Sequence, residues 1–214
     1  MRLRLTYEGD LFATQGDARE GQRVPRAAQK HAIRRNFHNQ LKHHWDTDLV
    51  LRNATAGEGS VDADMAPFIL DGGGAISKPL REVIADQYQK FGYRWVPLVR
   101  GEARLRCFIN ILILRRDEQS SVFSAGDIDN RVKTLIDCLR VPVSSGELLG
   151  NEVALPGEDP FYCLLLDDNL VSGFAVETDK LYDFPDDANE TYVKLVIGVE
   201  IKPYSVAFDN LFFL

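Results

Sequence analysis

The sequence lacks what a membrane protein, a secreted disulfide scaffold or a nucleotide-cradling P-loop protein needs. No run approaches the roughly 18 apolar residues of a membrane span. The start, Met1-Arg2-Leu3-Arg4-Leu5-Thr6, has no apolar signal region. A cytoplasmic protein without a membrane partner is therefore expected. Only three cysteines occur, Cys107, Cys138 and Cys163, and none forms a C-x-x-C pair. An odd number in apolar surroundings reads as reduced core thiols. The four histidines, His31, His38, His43 and His44, match no zinc spacing and are expected on the surface, within reach of phosphate. Gly72-Gly73-Gly74 lacks the Gly-Lys-Ser/Thr that completes a P-loop. Asn189-Glu190-Thr191 is a glycosylation sequon with no secretory signal to give it meaning.

What is present suits one domain spanning residues 1–214 with a real core, since 45% of residues are apolar and 27% charged. The net charge of -7 divides unevenly. Residues 1–116 carry 19 Lys and Arg against 13 Asp and Glu, whereas residues 117–214 carry 6 against 19. A polyanion would meet the first half, and the acidic C-terminal half could face a protein partner.

Residues 2–7 alternate as a half-buried strand. From Pro25 to Trp45, Ala28, Ala32, Ile33, Phe37 and Leu41 recur at helical steps, and Arg26, Lys30, Arg34, Arg35 and Lys42 decorate the remaining faces as candidate DNA-binding residues. Residues 54–77 read as a Gly- and Ala-rich insertion. A helix over Lys78–Phe91, with Pro79 in its first turn, precedes a strand over Ala103–Leu114. That strand is apolar enough on both faces to be central and covered by helices. Past a turn-rich linker, 141–160, two strands flank Asp167-Asp168-Asn169 as a hairpin, and an acidic loop leads to a closing strand over Tyr192–Ile201. The tail, 204–214, is apolar and should dock on its own domain or on a second subunit.

The chemistry gathers in Gly126-Asp127-Ile128-Asp129-Asn130-Arg131-Val132-Lys133, continued by Asp137 and answered by Asp167-Asp168. Val132, Leu135, Ile136 and Leu139 form the buried stripe of a helix that Asp127 or Asp129 could cap. At about 100° per residue, Asp129, Asn130, Lys133 and Asp137 share an arc of roughly 100° on its polar flank. Clustered carboxylates suit a hard divalent cation, and a lysine beside them suits a phosphate. A simple cap with Asp129–Lys133 and Lys133–Asp137 pairs would explain part of the pattern at a few tenths of a kcal/mol each. A calcium EF-hand does not, because its required glycine and glutamate positions hold Val132 and Cys138.

The pattern Asp127-x-Asp129-Asn130-x-x-Lys133-x-x-x-Asp137-x-Leu139, followed by Asp167-Asp168, resembles the RusA-type Holliday junction resolvases over residues 104–178. The resemblance implies an α/β (α+β) fold, a small mixed β-sheet packed with helices; beside the shorter members of that family the segments 54–77 and 141–160 read as insertions, and 141–160 is expected to loop out. It implies a homodimer acting on branched DNA in recombination and repair. It also implies Mg2+ or Mn2+ held by Asp127, Asp129 and one of Asp167 or Asp168, with Lys133 at the phosphate and Asn130 and Asp137 in support. A catalytically weak DNA-binding or partner-binding protein of a phage or mobile element is the alternative.

Overall fold

The computed structural model describes residues 1–12, 23–56, 78–116, 125–151, 153–188, 191–206, 210 and 213, with backbone alone at 23, 24, 56 and 125–127. In chain order the elements are β1 (Arg2–Asp10), α1 (Arg23–Thr47), α2 (Leu49–Asn53), β2 (Thr55–Ala56), β3 (Lys78–Pro79), α3 (Leu80–Gln87), β4 (Gln89–Lys90) and β5 (Tyr93–Val99). They continue with β6 (Leu105–Arg115), α4 (Ala125–Leu139), β7 (Phe161–Leu165), β8 (Val171–Lys180) and β9 (Tyr192–Pro203). The triple glycine and most of the 54–77 segment lie outside the described residues.

Strict alternation builds the larger sheet, in the order β1-β9-β6-β8, with β8 parallel to β6 and the other pairs antiparallel. One face buries Leu5, then Leu195, Ile197, Val199 and Ile201, then Leu105, Cys107, Ile109, Ile111 and Ile113. A second sheet, β4-β5-β7, pairs β5 with β7 in parallel. The buried rings of Trp95 and Phe161 meet there at 4.9 Å. The protein is thus mixed α+β, and α1 packs between β1 and β7. No helix among the described residues is long and apolar enough to cross a membrane.

The expectation that helices cover both faces of β6 fails. Arg106, Phe108 and Asn110 are exposed, and Leu112 and Leu114 are half-buried. Their register partners on β9 are Lys202, Glu200, Gly198, Val196 and Lys194, a mostly polar row suited to solvent. The helix expected over 78–91 is also shorter. Phe91 and Gly92 adopt positive φ of 54° and 81°, the pair needed by a two-residue hairpin turn, and so deliver β4 into β5. The two strands around Asp167-Asp168 form no hairpin: β7 pairs with β5 and β8 with β6, so the aspartates mark the joint between sheets.

Of the four histidines of α1, His43 is exposed as expected, but His31 and His38 are buried. The buried stripe is Ala27, His31, Arg34, His38, Leu41 and Trp45, flanked by Ile33 and Phe37, while Ala28 and Ala32 are exposed. His38 Nδ1 accepts from the Tyr162 amide at 2.9 Å, so its Nε2 carries the proton towards the Gly157 carbonyl at 3.2 Å. His31 stands 3.2 Å from the Tyr93 hydroxyl. The linker 141–160 does not loop out. It straps α1, burying Leu148 and placing Glu147 against Arg34 and Glu158 against Arg35. Within the tail, Phe213 is buried, and its carbonyl accepts from the Met1 amino group at 3.0 Å, so this residue docks on its own domain.

Burial pushes the His31 imidazole down from 6.5 to about 4, with Arg35 and Arg34 adding repulsion, and burial also lowers His38. Such groups stay uncharged in the fold while the unfolded chain takes up protons. Stability is therefore present above pH 6.5 and lost as pH falls towards 4. The expected result is a melting temperature that drops by several degrees between about pH 7 and pH 4.5. His31→Asn should flatten that slope in thermal unfolding followed by circular dichroism.

Candidate functional site

Helix α4 starts at Ala125, so Asp127 and Asp129 lie in its opening turns, where the helix dipole favours carboxylates, and not at its cap. Val132, Leu135 and Leu139 are buried as the stripe requires, joined by Thr134 and Cys138. Thr134 donates its hydroxyl to the Asn130 carbonyl at 2.9 Å. Asp129 and Lys133, one turn apart, are both exposed. Neither has a hydrogen-bond or ion-pair partner among the described residues. The side chain of Asp127 lies outside the described residues. The opening of α4 therefore presents a carboxylate and an ammonium to solvent on successive turns.

Asp137 is different in kind. Its carboxylate accepts from Lys30 Nζ at 2.7 Å and from Arg140 at 2.6 Å. Arg140 reaches on to Glu147 at 3.2 Å, and Glu147 closes the chain on Arg34 at 2.5 Å. Arg34 also donates to the Asp137 backbone carbonyl at 3.0 Å. Burial alone would raise the Asp137 carboxyl, yet Lys30 and Arg140 hold it below the usual carboxylate range. Three cations and two carboxylates are thus paired in one chain inside the protein, so Asp137 anchors α4 and forms no pair with Lys133.

The same contacts redefine the basic helix. Arg34 is buried, Lys30 is committed to Asp137, and Arg35 donates to Glu158 at 2.5 Å. Lys42 donates to the Gly157 carbonyl at 3.3 Å, and Arg26 is half-buried. Arg34, Arg35 and Lys42 hold the strap over α1 while Lys30 holds α4, so these cations do not form an open phosphate track.

Asp167 caps the 3-10 turn Asp168–Leu170, accepting from the Asn169 amide at 3.0 Å, and Asp168 is exposed. Asp167 lines a groove of about 370 Å³ with Lys90, Glu102, Pro142 and Asn169. Glu102 carried no signal in the sequence, being a lone acid in a turn. Its Oε2 is buried and has no hydrogen-bond partner among the described residues. This groove sits at the far end of α4. Arg140 bridges in parallel to Leu165, two residues before Asp167, and Val141 and Pro142 line the groove itself. Asp129 is eleven residues earlier, about 16 Å along the helix at 1.5 Å per residue. The described residues accordingly contain no group of three or more His, Cys, Asp or Glu side chains placed to hold a metal ion.

The two kinds of aspartate should separate in experiment. Asp137→Ala strands Lys30 and Arg140 in the interior and is expected to cost about 3 kcal/mol in urea unfolding. Asp129→Asn, at an exposed site without partners, should leave the unfolding midpoint within about 0.5 kcal/mol of the parent. The chain matches no protein-family model, no curated protein and no solved structure, so its functional reading rests on these residues.

Proposed function

We propose that the protein is a divalent-metal-dependent endonuclease of the RusA-like type, hydrolysing phosphodiester bonds in branched DNA such as Holliday junctions, in recombination and repair. The observation that carries this reading is the exposed pair Asp129 and Lys133 at the opening of α4, without partners among the described residues, within Asp127-x-Asp129-Asn130-x-x-Lys133. Hard carboxylate oxygens suit Mg2+ or Mn2+, and Mg2+ is commonly held by one or two carboxylates together with waters and a substrate phosphate. Asp127 and Asp129 would hold the ion. When bound, the ion lowers the pKa of a coordinated water and offsets charge on the phosphoryl oxygens.

Lys133, one turn further along the same helix, would neutralise the oxygens that gain charge in the transition state of a phosphate bound through the ion. Its ammonium has no ion-pair partner among the described residues, so none of those pairs must break before it acts. Within one chain Asp167 and Asp168 stand away from Asp129. In the proposed homodimer, one of them completes the acidic site of the other copy. The alternative of a junction-binding protein without cleavage draws on the same separation.

A synthetic four-way junction incubated with Mg2+ should be cut by the parent protein, and EDTA should abolish cutting. Asp129→Asn should lower the rate at least a hundredfold, and Lys133→Ala by about a hundredfold, the loss typical of one transition-state donor. A mixture of Asp129→Asn and Asp168→Asn chains should recover part of the activity that neither has alone. Binding of the junction without cleavage at any divalent ion would turn the reading to the alternative.

A further inference from the structure

The uncovered face of the larger sheet is polarised in charge. Side chains opposite each other in register share a face, which places Arg2, Glu200 and Phe108 in one row and Arg4, Gly198 and Asn110 in the next. Arg106 stands directly opposite Lys202. Like charges opposed in this way destabilise a sheet unless an anion lies over them. Glu200 is the one carboxylate in these rows, and it is shared between Arg2 at 2.7 Å and Lys202 at 3.2 Å. Arg4 has no partner among the described residues. Four cations thus meet one carboxylate on a chain whose net charge is -7. Glu8, Glu177 and Asp179 lie towards the opposite end of the face and bound the basic half.

Two adjoining grooves cross this half, with Glu200 in the wall of both. One, of about 560 Å³, has Gly198 in its lining between Arg2, Arg4 and Asn110. The other, of about 400 Å³, lies among Arg106, Phe108, Lys202 and Tyr204. Phe108 lies against Gly173, where an added Cβ would come within 3.0 Å of the ring. Phe108 is 37% exposed and Tyr204 54%, with the Arg106 guanidinium 4.9 Å from the Tyr204 ring centroid. Exposed rings interleaved with cations along a groove are the chemistry of a bound single strand, whose unstacked bases need flat partners and whose phosphates need positive charge.

We infer that this face binds a single nucleic-acid strand. Arg2, Arg4, Arg106 and Lys202 take the phosphates, and Phe108 and Tyr204 stack with bases. The identification of the polyanion rests on the nucleic-acid reading above, but the site is distinct from α4 and involves no metal.

The test is fluorescence anisotropy in EDTA with labelled oligo(dT), oligo(U) and a duplex, so that cleavage plays no part. The single strand should bind more tightly than the duplex, and the DNA and RNA arms show which sugar the face prefers. Arg4→Ala with Arg106→Ala should lower the slope of log K against log salt by about 1.4, at roughly 0.7 for each phosphate contact of a single strand. Phe108→Ala should weaken binding roughly tenfold. Gly198→Val supplies a blocking variant that keeps the fold, because a Cβ there meets Asn110 Cβ at an ordinary 3.6 Å and valine suits a strand. It should weaken binding at least tenfold with an unchanged melting temperature. Equal binding by Gly198→Val and the double arginine variant overturns the inference, as does a preference for duplex. A halved mass for Gly198→Val in light scattering, with strand binding intact, assigns the face to a second copy and overturns it too. Loss of cleavage in Asp129→Asn bears only on the metal site.

Discussion

The ionic chain Lys30–Asp137–Arg140–Glu147–Arg34 decides how the two main helices and the strap can sit. Its members come from α1, from the end of α4 and from the 145–148 turn, and side-chain exposures of 16% or less leave them little water. Any one charge left alone there would cost several kcal/mol, so the set forms together or the helices part. Because the C-terminal end of α4 is held, its opening turns are left to carry Asp127, Asp129 and Lys133. The fold thus divides one run of acidic residues into an anchor and an exposed end.

That division explains why residue type alone misassigns charges in this chain. Arg34 and Lys30 look like a phosphate track because they lie on a basic helix, yet they satisfy carboxylates from α4 and the strap. Among the cations that do face solvent, Arg4, Arg106 and Lys202 are on strands, where they open onto the uncovered side of the sheet. Burial removes charge from a binding role as effectively as sequence distance does.

Much of the fold was legible because alternation and helical periodicity report which face is buried. β1, β6, β9 and the apolar stripe of α4 emerge from those signals close to their observed bounds. Periodicity does not report partners. Residues 161–165 and 171–180 read as strands, but nothing local tells that one joins β5 and the other β6, and the apparent hairpin at Asp167-Asp168 fails for that reason. In α1 the buried stripe includes His31, Arg34 and His38, polar residues whose hydrogen-bond partners come from distant parts of the chain. Within the candidate site, the spacing of Asp129 and Lys133 was visible because one helix carries both. The distance from Asp129 to Asp167 depends on how the sheets are joined, and Glu102 enters only through the groove that this joint creates.

The central claim is that the opening of α4 holds a divalent cation for phosphodiester hydrolysis. Its most direct test is the anomalous scattering of Mn2+ in crystals of the protein grown with a non-cleavable junction. The account predicts a peak within coordination distance of Asp127 and Asp129, with a DNA phosphate beside Lys133. A peak only in the groove of Glu102 and Asp167, or none at α4 in crystals that contain the DNA, would contradict it.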